Sequence, residues 1–361
     1  MSWPSWLPLR ETLQSLTPYG APQVLAQAAL NTNENPYSPA LDLQKSITEA
    51  VAKVVGNLNR YPDRDALNLR TKLANYINSQ SATRFSADNI WVANGSNEII
   101  QSIFLAFGGG SALGFTPSYS MHSLIAKVSG TPWIAGPRNS DFSLNTAAAV
   151  AEIERSRPTL TFITTPNNPT GGAIAIASIQ VLADAVRAHG GLLIVDEAYA
   201  EFSDEISAVT LVADNPHVVV IRTMSKAFAF AGARVGYLVG DTSIKDAMLI
   251  VRLPYHLSAL TQAAAQVAID HQAELLSGVT SIITSRKSVA AALQAMGLVT
   301  ITSSANFLLF TGFKQEASQL WAELLEKGVL IRDVGLSGYL RVTIGTETEN
   351  KLFLSTLEAL I

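Results

Sequence analysis

In Thr223-Met224-Ser225-Lys226-Ala227-Phe228, one lysine follows small and hydroxyl residues in an otherwise apolar setting. A poorly solvated lysine has a lowered pKa, and its free lone pair can form a Schiff base with a carbonyl. Eight positions later Arg234 leads into the apolar Val235-Gly236-Tyr237. Its guanidinium and the Ser225 hydroxyl are suited to holding a phosphate. A Ser-Lys pair by itself also describes a solvated lysine before a loop, so other residues must decide.

Four further groups have the required chemistry. Asn94-Gly95-Ser96-Asn97-Glu98 combines a glycine turn with the start of a helix, where free N–H groups and the dipole favour an anion. The same residues also make an ordinary N-cap. Pro117-Ser118-Tyr119 offers an aromatic face for stacking, or simply packing. Thr165-Pro166-Asn167-Asn168-Pro169-Thr170-Gly171 is a rigid polar loop in which Asn168 can donate to a phenolic oxygen. Val195-Asp196-Glu197-Ala198-Tyr199 puts a carboxylate where it can pair with a protonated pyridine, and a tyrosine three residues on. Asp196 and Glu197 could instead bind Mg²⁺, but the phosphate-binding glycine loop that would accompany this is missing. With Lys226, Ser225 and Arg234, these groups point to an anchored pyridoxal 5′-phosphate (PLP).

All of these groups must be held at strand ends. Short apolar runs predict strands at 90–93, 112–115, 161–164, 192–195, 218–221 and 235–239. Helical spacing predicts helices at 41–55, 64–79, 96–107, 119–128 and 175–188. Strands buried on both faces and separated by helices imply a mainly parallel α/β sheet. Ligands bind such sheets past the C-terminal strand ends, where every candidate falls. Beyond about residue 250 the pattern changes to an Ala-rich helical region at 258–295, strands at 306–310, 329–332 and 339–344, and a helix at 315–326. The expected organisation is an N-terminal arm (1–31), a large PLP-binding domain (32–250) and a small α+β domain (251–361).

Composition limits the rest. Of 361 residues, 48% are hydrophobic and 15% charged, with net charge −4 and no cysteine. That describes a globular chain without disulfides, thiol metal sites or the basic footprint of a nucleic-acid binder. No metal site is expected. No apolar run reaches spanning length and the start lacks a signal-peptide pattern, so the expected place is the cytoplasm, away from membranes.

The order and spacing of Asn168, Asp196, Tyr199, Lys226 and Arg234 resemble fold-type I PLP enzymes of the aminotransferase superfamily. Pro18-Tyr19-Gly20, Asn31-Thr32-Asn33-Glu34-Asn35-Pro36, Arg60-Tyr61-Pro62-Asp63, Arg252-Leu253-Pro254-Tyr255, Ser304-Ala305-Asn306-Phe307, Gly328 to Asp333 and Leu340 to Gly345 narrow the resemblance. They are similar to the histidinol-phosphate aminotransferase family. The resemblance implies that Lys226 forms the Schiff base, Asp196 partners the pyridine nitrogen, and Asn168 and Tyr199 meet the phenolic oxygen. Ser96, Asn97, Ser225 and Arg234 would touch the cofactor phosphate, and Tyr119 would stack on the ring. Tyr61 would reach that phosphate from the second subunit of a homodimer. Tyr19, Asn33, Asn97, Tyr119, Tyr255, Arg332 and Arg341 would meet substrate. The substrates implied are L-histidinol phosphate and 2-oxoglutarate or glutamate. Ala229 stands where the family often has glycine, and Asn97 where many members carry aspartate. An aromatic amino-acid aminotransferase is the near rival. A PLP-dependent lyase or decarboxylase and a non-catalytic PLP-binding regulator are remoter ones.

Overall fold

The computed structural model describes residues 3–18 and 20–361. Its frame is one seven-stranded sheet: β1 (Ile90–Ala93), β2 (Ala112–Thr116), β3 (Trp133–Pro137), β4 (Leu160–Thr164), β5 (Leu192–Asp196), β6 (Val218–Thr223) and β7 (Gly236–Val239). The order is β1-β7-β6-β5-β4-β2-β3. Only β7 runs antiparallel to its neighbours. β4 and β6 are buried at every position. Alternation along β6 sends Val218 and Val220 into one core, and Val219 and Ile221 into the other. A sheet buried on both faces needs helices on both, which is why unbroken apolar runs rather than alternating ones mark these strands.

The helices take nearly the expected places: α1 (Leu41–Val55), α2 (Leu67–Ser81), α3 (Ser96–Phe107), α4 (Ser120–Ser129), α5 (Thr146–Ser156), α6 (Ile176–Arg187) and α7 (Thr242–Val251). Within residues 41–251, β3, α5 and α7 lie outside the expected set. β3 is the edge strand and is mostly half-exposed, so its sequence shows no buried run. The Ala-rich region is two helices, α8 (Ala259–Asp270) and α9 (Gln272–Ala295), parted at His271. Ser258 caps α8 by accepting from the Thr261 N–H. α8 packs on α1 and α2, whereas α9 packs on the C-terminal sheet.

The C-terminal sheet has the order β10-β11-β9-β8, from β8 (Val299–Thr300), β9 (Phe307–Thr311), β10 (Arg332–Asp333) and β11 (Leu340–Thr343). All of its pairings are antiparallel. α10 (Ala317–Glu326) and α11 (Glu347–Glu358) complete this unit. The end of the N-terminal arm is tied into it, because Ala28 and Ala29 pair with Val329 and Leu330. That pairing brings the 31–35 turn between the two sheets.

Beneath the strand ends lies a buried ion cluster. Arg222 donates from Nε to Glu197 at 2.9 Å, from Nη1 to Glu201 at 2.9 Å and from Nη2 to the Ser207 hydroxyl at 2.9 Å. Glu197 also accepts from Ser207 Oγ and the Ala208 N–H, each at 2.7 Å. Burial works against the Arg222 charge, but the two carboxylates outweigh it and raise its pKa. Burial likewise pushes the Glu201 carboxyl up, with Arg222 opposing. Removing one partner of such a pair leaves an uncompensated buried charge. Arg222→Met is therefore expected to lower the unfolding free energy by about 3–5 kcal/mol, read from the urea unfolding of the apoprotein. Glu201→Gln should cost clearly less, because its charge is already disfavoured there. A neutral outcome for Arg222→Met would show that the cluster is solvated.

Candidate active site

The C-terminal ends of β1, β2, β4, β5 and β6 surround a cavity of about 680 Å³, closed on its far side by the C-terminal sheet. β6 carries Lys226 just past its end. The Lys226 amine donates to the Thr32 carbonyl at 2.8 Å. Desolvation pushes its pKa down from 10.5 to about 8, and the nearby charges of Arg341 and Arg234 push the same way, against Glu34. The amine is thus far closer to neutrality at pH 7 than a surface lysine.

At one end of the cavity the chain builds an anion cradle. The Gly95 turn opens α3 with φ +87, and a Cβ there would sit 2.5 Å from Arg234 Nη2. A Cβ on Gly236 would collide with the Ser96 backbone nitrogen. Both glycines are therefore required for β7, the α3 N-terminus and the Arg234 guanidinium to meet this closely. Arg234 Nη1 donates to Ser225 Oγ at 3.4 Å, and Thr223 Oγ1 donates to the same oxygen at 3.0 Å. Ser96, Asn97, Ser225 and Arg234 thus line one space.

Along the floor, Asp196 is 2% exposed. Its Oδ2 accepts from His122 Nε2 at 2.9 Å and its Oδ1 accepts from the Ala198 N–H at 3.1 Å. A carboxylate only accepts, so Nε2 carries the histidine proton. Asp196 and Glu197 thus point to different partners, the cavity floor and the Arg222 cluster, and do not form a shared metal site. Above the floor, Tyr119 donates to Asn97 Oδ1 at 3.1 Å and meets the His122 ring edge-on at 5.4 Å. An aspartate at position 97 could accept that same bond.

At the opposite wall, Tyr199 accepts from Asn33 Nδ2 at 2.8 Å and from Asn168 Nδ2 at 3.3 Å. Arg341 donates from Nη1 to Asn168 Oδ1 at 2.6 Å and from Nη2 to the Asn31 carbonyl at 2.7 Å, with its guanidinium 5.1 Å from the Phe307 ring centre. Arg332 faces Arg341 in the β10–β11 register and lines the same cavity. Ala229 adopts φ +51, a conformation glycine reaches without cost, which suits a position where glycine is the common residue.

Most of the residues expected from the sequence therefore converge. Tyr61 and Tyr255 do not. Within this chain they lie outside the cavity and stack on one another, with ring centres 4.3 Å apart, and Tyr61 is 79% exposed. The expectation that Tyr255 lines the same cavity as Tyr119 is thus not met within one subunit. Tyr19 lies outside the described residues. Sequence reasoning missed His122, Thr32 and Thr343. His122 stands three residues after Tyr119, on one helical face, but its partner Asp196 is 74 residues away. Thr32 acts through its backbone carbonyl, which no side-chain pattern reveals.

Residues 26–357 match the family described as aminotransferase class I and II. The histidinol-phosphate aminotransferase of Mycolicibacterium vanbaalenii is 50% identical over 353 residues, 97% of this chain and 94% of that one. The Mycobacterium marinum enzyme of the same name is 50% identical over 351 residues, 96% and 91% of the two chains. In fold, the chain is similar to histidinol-phosphate aminotransferase from Sinorhizobium meliloti in complex with pyridoxal-5′-phosphate, with TM-score 0.83, 23% identity and 98% of both chains covered. The seven-stranded sheet is that of fold-type I PLP enzymes, and PLP is the cofactor of this class. The chain belongs to the class I and II aminotransferases and, within them, to the histidinol-phosphate aminotransferase family.

Proposed function

We propose that this enzyme transfers the amino group of L-histidinol phosphate to 2-oxoglutarate, giving imidazole acetol phosphate and glutamate, as a cytoplasmic step of histidine biosynthesis. The observation that carries the reading is one amine of lowered pKa between two separate cationic ends. Arg234, Ser225 and the α3 N-terminus lie at one end, and Arg341 and Arg332 at the other. The first end suits the phosphate of PLP, and the glycine-shaped cradle leaves the backbone open to it. The second suits an anionic substrate. Histidinol phosphate brings a phosphate and no α-carboxylate, while 2-oxoglutarate brings carboxylates, and planar guanidinium forks bind either.

When bound, PLP supplies an electron sink that makes the substrate Cα–H bond labile. The chain supplies the remainder. Ser96, Asn97, Ser225 and Arg234 would hold the phosphate. Asp196, steadied by His122 and the Ala198 N–H, would partner the pyridine nitrogen and keep it protonated. Asn168 and Tyr199 would meet the phenolic oxygen, and Tyr119 would stack on the ring. Lys226 would take the proton from the substrate Cα and deliver it to the carbon on the far side of the amino nitrogen, a 1,3-transfer for which a pKa of about 8 suits a base near neutrality. Arg341 and Arg332 hold the substrate anion, with Asn33 and Asn97 beside it. Tyr19 from the arm would add a hydroxyl.

The reading includes a homodimer. Arg252 ties the 250–255 loop to the 60–65 loop, donating to Asp65 at 2.6 Å and to the Arg64 carbonyl at 2.8 Å. Around them Leu58, Tyr61, Ile250 and Leu253 are each at least half exposed. An apolar patch of this kind fits an isologous contact. It would let Tyr61 of the partner subunit complete the phosphate cradle, and Tyr255 of the partner subunit meet the imidazole end. The division into arm (1–31), large domain (32–250) and small domain (251–361) belongs to the same reading.

Four outcomes test it. In the apoprotein at pH 7, Lys226 should react with an aldehyde and borohydride roughly 100-fold faster than exposed lysines, since its ordinary pKa of 10.5 is lowered to about 8. The rate should fall about tenfold per unit below pH 8 and level off above it. A midpoint near 10.5 would remove the base. In a donor panel, kcat/KM for histidinol phosphate should exceed that for phenylalanine and tyrosine at matched 2-oxoglutarate. The reverse order would replace this reading with an aromatic aminotransferase, and release of CO₂ in place of glutamate would point to a decarboxylase. Arg341→Ala should lower kcat/KM in both half-reactions by about 10–150-fold. Finally, mixing Tyr61→Phe with Lys226→Ala subunits should give activity above either parent, because one site of the mixed dimer carries both defects and the other neither. A fully active monomer in sedimentation would refute the shared site.

A further inference from the structure

Thr343 lies two residues after Arg341 on β11, so both side chains leave the strand on the same face. Each fixes one of the two amides that donate to Tyr199. Arg341 only donates, so it must face Asn168 Oδ1, and that turns Asn168 Nδ2 toward the Tyr199 oxygen. Thr343 acts on Asn33 in another way. Its hydroxyl accepts from the Asn33 backbone N–H at 3.0 Å and donates to Asn33 Oδ1 at 3.0 Å. The Asn33 Nδ2 group is thereby left to donate to Tyr199 at 2.8 Å.

The reverse orientation of the Asn33 amide is disfavoured by counting protons. With Nδ2 turned to Thr343, that hydroxyl would accept two hydrogen bonds and bury its own proton without an acceptor. Thr343 is 3% exposed and Asn33 1%. A buried donor left unpaired is strongly disfavoured. The Asn33 backbone sits at φ +55, and Asn306 Nδ2 donates to its carbonyl at 3.0 Å, so the turn itself is held from the C-terminal sheet.

We propose that Thr343 is a positioning residue. By fixing the orientation of the Asn33 amide, it makes Tyr199 an acceptor toward Asn33, so that Asn33 does not compete with the cofactor for the Tyr199 proton. This rests on the proposed contact between Tyr199 and the phenolic oxygen of PLP. Without the Thr343 hydroxyl the amide can turn, Asn33 Oδ1 can take the Tyr199 proton, and the cofactor loses a donor. β11 then sets both the anion contact, through Arg341, and the cofactor donor, through Thr343.

The test is the pH titration of visible absorption in the holoenzyme, with no substrate present. A bond donated to the phenolic oxygen favours the form in which that oxygen carries full negative charge, and so lowers the midpoint. Tyr199→Phe should raise the midpoint by about 1–2 units. Thr343→Val, which keeps the shape and removes the hydroxyl, should move it in the same direction. Thr343→Ser should restore it, and Thr343→Val should add nothing in a Tyr199→Phe background. A merely structural role would shift both backgrounds alike and would overturn the proposal, as would a Thr343→Val midpoint equal to wild type. Should Thr343→Val fail to fold, Thr343→Ala removes the same hydroxyl and is expected to give the same shift. If Tyr199→Phe leaves the midpoint in place, the cofactor contact is wrong, and this relay falls with it.

Discussion

Withdrawing the Lys226 amine from water is the constraint on which the rest of this structure depends. An ammonium on a solvated lysine is an inert cation, whereas this one lines a cavity between the two sheets and has its pKa lowered to about 8. Burial is the largest cause, and two arginines of opposite ends add to it. Those arginines therefore serve twice. They line the cavity that holds the amine, and their fields add to the lowering of its pKa. The Thr32 carbonyl accepts the amine proton without adding a counter-charge that would reverse the effect.

Such a site imposes heavy demands on the strands beneath it. Asp196 and Glu197 are adjacent carboxylates, each buried to 2% exposure. Two buried charges this close repel one another unless each has its own partner. The chain separates them by direction. Asp196 turns to His122 at the cavity floor, and Glu197 turns to Arg222 and Ser207 below it. Arg222 lies on β6, the strand that ends at Lys226, and Glu197 lies just past the end of β5. The buried cluster thus ties the amine-bearing strand to the carboxylate-bearing one.

The C-terminal sheet does more than close the cavity. It meets the 31–35 turn through Thr343 and Asn306, and meets the Asn168 loop through Arg341. Tyr199 is reached from that sheet by two hydrogen-bonded routes, one through Asn168 and one through Asn33.

The sequence by itself determined the sheet, the strand ends and most residues at them. Its apolar runs are long enough for strands covered on both faces, and glycine, proline and asparagine punctuate their ends, so Asn94, Asn168, Asp196 and Lys226 were legible in place. The half-exposed β3 escaped because an edge strand needs no continuous apolar run. The break at His271 and the separate partners of α8 and α9 also escaped, since both helices share one Ala-rich texture. What only the tertiary structure decided is how groups far apart in sequence pair: His122 with Asp196, Arg222 with Glu197 and Glu201, Thr343 with Asn33, and Tyr61 with Tyr255 away from the cavity. Hydrophobic periodicity is a local property and can be read along the chain. The direction of a buried hydrogen bond depends on which elements the fold brings within about 3 Å of each other, and no local pattern carries that information.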